Sequence, residues 1–350
     1  MPASRRLRHI LDLLHYSGAA RAGQPLFGGI GAIFMLHHVR PGGGADTGFA
    51  PNRLLEVTPE FLDAVITLVK REGLEILAFA DAVERIRAPR GERFVTFTLD
   101  DAYRDNLTHA LPVFARHACP FTIFAAPAIQ DGTCELWWRG LECVIRDNAE
   151  VMAEIGGETL RLATTGDARR HAAWNALYWP LRNLPEAEQR RWIRHFCTAH
   201  GFDLDAYVRA EAMSWDELRR IAAHPLCTIG GHTIHHYAVA KLPEAEAMTE
   251  LAGCADRLEQ ELGRRPRFLA YPYGDPGSAG QRDFRLTREA GYEAAVTTRK
   301  GMVFAGHADH LTALPRLSLS GEFQKVRYVQ ALLTGTPFAL LNRFRPLNVS

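Results

Sequence analysis

Several things are scarce in this chain, and each absence excludes something. Its six cysteines, at 119, 134, 143, 197, 227 and 254, include no C-x-x-C pair and no cluster. That argues against a thiolate metal site or a disulfide framework and for free thiols in a reducing compartment. Charge of one sign is missing too: 41 basic residues face 40 acidic ones in 350, so nucleic acid and acidic polymers are not the expected partners. No apolar run approaches the roughly 18 residues a transmembrane helix requires. Arg5, Arg6 and Arg8 precede an apolar stretch, but Asp12 and His15 interrupt it, and a signal-peptide core needs about 7 or more uninterrupted apolar residues. No repeat or low-complexity tract is visible. The chain therefore reads as cytoplasmic, and its oligomeric state stays open.

What is present is ordinary globular material, 47% apolar, long enough to bury a substantial core. Leu7, Ile10, Leu11 and Leu14 recur at helical spacing, so residues 1–29 read as an amphipathic helix packed on the domain, followed by a linker. A peripheral membrane contact is the competing reading. Short runs rich in Val, Ile, Phe and Thr predict strands at 33–36, 94–99, 121–125, 227–229, 268–270, 294–297 and 316–319. Helices with clear ends lie between several of them. One opens at Thr58-Pro59 and stops at Gly73, one runs from Pro243 to Gly263, one ends at Gly291, and Ser214 to Glu217 is a capping box. Alternating βα units predict a mainly parallel sheet with helices outside, either a barrel or a doubly wound sheet. Residues 130–212 break the rhythm and read as an all-helical insertion. Residues 321–350 form a helical tail.

The unusual polar residues stand just past four strand ends: His37-His38, Asp100-Asp101, the stretch GGHTIHH from 230 to 236, and YPYGDPG from 271 to 277. In parallel α/β folds this rim is where groups from different strands converge. A single acidic pair is usually a turn or a helix cap, and His232 and His236, four apart, occur by chance in a chain with 15 histidines. Together, two imidazoles and a carboxylate make a metal site with positions left open for water and substrate.

FTLDDAYRDN, IGGHTIHH and FLAYPYGDPG, in that order, resemble the first three motifs of the polysaccharide deacetylases of carbohydrate esterase family 4, which share the NodB-homology domain. The resemblance covers about residues 30–320, apart from the insertion. It implies a distorted (β/α)7-type barrel and removal of acetyl groups from N-acetylated saccharides with one divalent metal ion, zinc first, cobalt or nickel in its place. It further implies Asp100 as general base, Asp101, His232 and His236 as metal ligands, and the backbone N–H of Tyr273 as oxyanion donor. His235 falls where the family has a small or polar residue and is a candidate for a supporting or substrate-facing role.

Most members take the general acid from a late Leu-His-Asp segment, which is missing here; His307 and His310 read as loop residues. A subgroup resembling poly-N-acetylglucosamine deacetylases places it early, in Tyr-His-x-Val. MLHHVRP fits that pattern at His37 and Val39, with Leu36 in place of the tyrosine. His37 is preferred to His38 because neighbours on a strand point to opposite faces.

The chain departs from the family elsewhere. Ala102 stands where a glycine is usual. The third motif lacks its arginine, and Arg316 on the last strand is the expected substitute. Leu317 and Leu319 are expected around the acetyl methyl. Trp137-Trp138-Arg139 reads as a core anchor or a sugar contact, and His195 and His200 as solvent-facing. With no export signal recognised, an intracellular nucleotide-linked or lipid-linked glycan precursor is the expected substrate. The alternatives are hydrolysis of a non-sugar amide or cyclic imide, and a non-catalytic carbohydrate binder.

Overall fold

The computed structural model describes residues 3–43 and 48–349. Seven parallel strands form its centre: β1 (Gly31–Leu36), β2 (Phe94–Asp100), β3 (Phe121–Ala125), β4 (Cys227–Gly231), β5 (Phe268–Ala270), β6 (Ala294–Lys300) and β7 (Leu314–Ser318). They follow one another around a ring that closes where β1 pairs with both β2 and β7. All seven lie where the apolar runs place them, with ends shifted by a few residues. The ring is uneven. β4 and β5 share the single aligned pair Gly231 and Leu269, and the register between β6 and β7 shifts between Val296 and Lys300. This is a distorted (β/α)7 barrel.

Strand alternation sorts side chains between two cores. Outward residues such as Phe34, Val95, Phe97 and Ile123 pack under the outer helices, including Pro59–Arg71, whose N-cap Thr58 accepts from the Phe61 N–H. Inward residues, among them Ile33, Phe94, Phe124, Phe268, Val296 and Leu314, meet Phe79 and Val83 and fill the barrel. On β2 the inward set continues from Phe94 through Thr96 and Thr98 to Asp100. The same alternation corrects one expectation: Leu317 and Leu319 belong to the outer core with Phe34 and Leu36. On β7 the alternation turns Leu314 and Arg316 inward.

The insertion is not all helical. Its helices include Trp137–Asp147, Asp167–Asn183, Glu186–Ala199 and Leu204–Glu211, but Glu150–Ile155 and Glu158–Ala163 form an antiparallel hairpin. Gly156 and Gly157 turn it with φ of 63° and 79°, as a two-residue hairpin turn requires. The signal was the Gly-Gly pair between alternating runs, with Val151 and Ala153 buried and Met152 exposed. Trp137, Ile145, Trp174, Leu177 and Phe196 give the insertion its own core. His195 is exposed, whereas His200 is half-buried and its Nε2 accepts from the Met152 N–H.

At the N-terminus a second helix, Ala19–Phe27, replaces the expected linker after Ala3–Tyr16. Of the four apolar residues assigned to the packed stripe only Leu11 is buried, and Leu7 and Ile10 are exposed. Helices Val326–Leu333 and Thr336–Leu341 lie in the C-terminal tail, and the rest of its described residues are 3₁₀ turn and irregular chain. No helix of the described residues is long and apolar enough to cross a membrane.

Candidate active site

Asp100 ends β2 facing into the barrel and is 2% exposed. Arg316, facing inward from β7, meets it with two parallel hydrogen bonds of 2.7 Å, one to each carboxylate oxygen. The guanidinium also donates to the Thr297 carbonyl and to Thr98 Oγ1, which leaves it little freedom. Burial alone would raise the Asp100 carboxyl, but the Arg316 charge and hydrogen bonds outweigh it and hold the group below the usual carboxylate range. Arg316, the expected substitute for the missing arginine, is thus brought against Asp100.

At Asp101 the chain turns sharply, with φ 72° there and 53° at Ala102. Asp101 thereby points away from Asp100 toward the β4 end. Its Oδ1 lies 3.2 Å from His236 Nε2 and 3.4 Å from His232 Nε2. One ligand atom from each of these three buried residues falls within 4.8 Å of the others. His232 Nδ1 is 2.7 Å from the Ala270 carbonyl; a proton held there leaves Nε2 free as a lone-pair donor. Asp101 Oδ1 is buried without a hydrogen-bond partner among the described residues, a costly state that a cation would relieve. The donor set and its orphaned oxygen thus fit one divalent ion. Against the desolvation that would raise it, the two imidazoles hold the Asp101 carboxyl well below its ordinary range.

His37 follows β1 on its inward side, and its Nε2 is 3.8 Å from Asp100 Oδ2. Burial lowers its pKa, with Asp100 and Asp101 working in the opposite direction. His38 faces away. It is fully buried, stacked on Tyr103 at 3.6 Å, with Nδ1 2.7 Å from Asp105. The second half of the FTLDDAYRDN motif explains the clamp: Asp105 also accepts from the Val39 N–H, and the Asn106 amide donates to the His37 carbonyl.

Ala102 settles what its position requires. A left-handed conformation costs an L-residue roughly 1–2 kcal/mol. The methyl, however, is fully buried in the outer core, worth about 0.8 kcal/mol, and glycine would add about 0.4–1 kcal/mol of unfolded-state entropy. These terms nearly cancel. Ala102→Gly is expected to leave stability within about 1 kcal/mol of the parent in urea denaturation, whereas Ala102→Val is expected to destabilise strongly.

The rest of the site is held by residues that no motif announces. His236 and Tyr273 also adopt positive φ, 58° and 62°, and both are gripped by the insertion. Arg190, buried in helix Glu186–Ala199, donates to the His236 carbonyl at 3.1 Å. Trp137 Nε1 donates to the Tyr273 hydroxyl at 2.7 Å, and the Arg182 guanidinium lies 3.9 Å over the Tyr273 ring. Trp138 packs 5.0 Å from the His236 ring. The two tryptophans are core anchors, 0% and 6% exposed, and they anchor the site as well. Arg139 is buried in ion pairs with Glu56 and Glu142. His235 is turned aside, its Nδ1 2.6 Å from Glu250, which also accepts the His235 N–H. His307 is fully buried in the 3₁₀ segment Ala305–Ala313 rather than in a surface loop.

Residues 188–295 match the polysaccharide deacetylase family model. No curated protein sequence matches the chain. Among solved structures it is similar to the Streptococcus pyogenes deacetylase PplD (TM-score 0.56, 14% identity, covering 86% of this chain and 97% of that one). It is also similar to IcaB from Ammonifex degensii (0.53, 17%, 86% and 97%) and to a polysaccharide deacetylase from Bacillus cereus (0.53, 16%, 87% and 68%). At these identities the structural likeness speaks for the fold.

Proposed function

We propose that this chain, which carries the polysaccharide deacetylase domain, removes the N-acetyl group from an amino-sugar-containing glycan or glycan precursor and releases acetate. The observation that carries the reading is the division between neighbouring acids: Asp100 is clamped by Arg316 while Asp101 joins His232 and His236. Two carboxylates held apart in this way can do two jobs.

Asp101, His232 and His236 would hold one divalent ion, zinc by donor preference with cobalt or nickel as substitutes. When bound, such an ion polarises a carbonyl and acidifies water toward a pKa of about 7. Asp100, ionised and off the ligand set, takes a proton from the attacking water. The Tyr273 N–H donates to the oxygen that gains charge. His37, with Nε2 3.8 Å from Asp100, hands a proton to the departing amine. The unpaired cysteines favour an intracellular place of work.

Metal-loaded protein incubated with chitooligosaccharides and N-acetyl sugar conjugates is expected to release acetate and to stop after chelation. Small amides and cyclic imides serve as comparison. Release from the small amides alone, or failure to bind one equivalent of metal, would sink the reading. Arg190 offers a separate check, because groups that orient ligands typically shift metal affinity about 10- to 100-fold. Arg190→Gln is expected to weaken zinc binding by that order in a competition titration, with Arg190→Lys intermediate.

A further inference from the structure

Outside the active site, charge and exposed apolar surface are not evenly spread. Residues 1–27 and 326–350 together contain seven arginines and a single acid, Asp12. They carry a formal +6 in a chain of net +1, so residues 28–325 carry −5. Among the described residues, the same two segments hold eight of the eleven exposed large apolar side chains. The most exposed are Leu26 (75%), Tyr16 (73%), Leu13 (69%), Phe344 (63%) and Leu341 (61%). Two independent properties, basic excess and apolar exposure, thus coincide.

The two segments form one layer. Leu11 and Ala20 pack against Tyr328 and Ala331, Thr336 donates to the Ala20 carbonyl at 2.9 Å, and the Phe27 and Phe344 rings are 5.9 Å apart. Asp12 is half-buried and its charge is matched within the layer, by Arg327 at 2.7 Å and the Tyr328 hydroxyl. On helix Ala3–Tyr16 the outward arc holds Ile10, Leu13 and Tyr16 beside Arg5 and Arg6. Arg5, Arg6, Arg343 and Arg345 are exposed and make no ion pair among the described residues; Arg21 faces Glu72 at 3.4 Å. A face with apolar side chains, free guanidinium groups and, among the described residues, no carboxylate left unpaired suits a layer of phosphates over hydrocarbon. The apolar groups can enter the acyl boundary while the arginines stay among the headgroups.

We propose that this two-segment face docks the chain on an anionic lipid bilayer. The layer is tied to the N-terminal ends of the strands: Arg93, which leads into β2, donates to the carbonyls of Gly28 and Leu333 at 2.7 and 2.6 Å. Asp100, Asp101 and the histidines stand at the opposite ends, so docking leaves the active-site rim uncovered.

The test is co-sedimentation of the full chain with vesicles of phosphatidylcholine alone and of an equimolar mixture with phosphatidylglycerol. Binding is expected only with the anionic lipid and is expected to fall at high salt. The double substitution R343E/R345E is expected to lower partition by at least about fivefold per position. L26E/L341E, on exposed positions, is expected to lower it further with an unchanged melting curve. Absence of binding to the anionic vesicles, or equal binding by parent and variants, would overturn the proposal. So would a dimer, found by sedimentation equilibrium, that L26E/L341E dissociates in a chain that ignores vesicles, because a second copy would then own the face. None of these readouts depends on deacetylation.

Discussion

Asp100→Asn is expected to reduce acetate release by about 10²–10⁴-fold, the usual worth of a positioned general base, while the protein still binds one equivalent of metal. The two halves of this result come from different parts of the site. Proton transfer is lost because an amide cannot accept the proton of an attacking water. Metal binding persists because Asp101, His232 and His236 meet on the other side of the turn at Asp101 and Ala102. The variant is also expected to lose stability, since the buried Arg316 would face one acceptor instead of two and no countercharge. Metal titration of the folded fraction separates the effects. Asp101→Asn should show the reverse pattern, with metal lost first and activity lost with it. If Asp100→Asn retained the parent rate, Asp100 would not be the base; if it lost metal, the division of labour between the two acids would be wrong.

The strands and the polar residues at their ends were legible from residue pattern, for a physical reason, whereas the closed barrel and the roles at the site came from the family resemblance. A parallel barrel buries both faces of its strands, so the strands appear as continuous apolar runs, and polar residues at their ends stand out. The same two-residue alternation that chose His37 over His38 is what turns one toward Asp100 and the other onto Tyr103. Alternation was not carried through at the last strand, where it would have sent Leu317 and Leu319 outward and Arg316 inward. Hairpin Glu150–Ile155 and Glu158–Ala163 was hidden because Val151 and Ile155 continue the helical spacing of Val144; Gly156-Gly157 was the sign to weigh. Arg190 and Glu250 carry no local signal, and nothing in the tryptophan pair at 137 and 138 pointed to Tyr273 or His236. The partners of Arg190, Trp137 and Glu250 lie 46, 136 and 15 residues away, and only the fold brings them together.

Arg316→Gln is expected to cost about 3–5 kcal/mol of stability, because it strands Asp100 in the barrel without a countercharge, and to change the pH dependence of both folding and rate. In the parent, Asp100 has a folded pKa below its unfolded value of about 3.9. Its contribution is therefore fully present above about pH 4 and is lost as pH falls through the folded pKa. Without Arg316 the largest remaining influence is burial, which favours the protonated acid. The folded pKa then lies above the unfolded one, and the variant gains stability relative to neutral pH as the solution is acidified. Urea denaturation at several pH values should thus show the difference between parent and variant shrinking toward acid. The rate should respond in the same direction: the acidic limb of kcat/KM moves to higher pH, because the base must lose a proton it now holds more tightly. Arg316→Lys is expected to restore charge but not the two-bond grip, giving an intermediate acidic limb. Replacing a merely structural arginine would lower stability in the urea measurements and leave that limb where it stands in the parent.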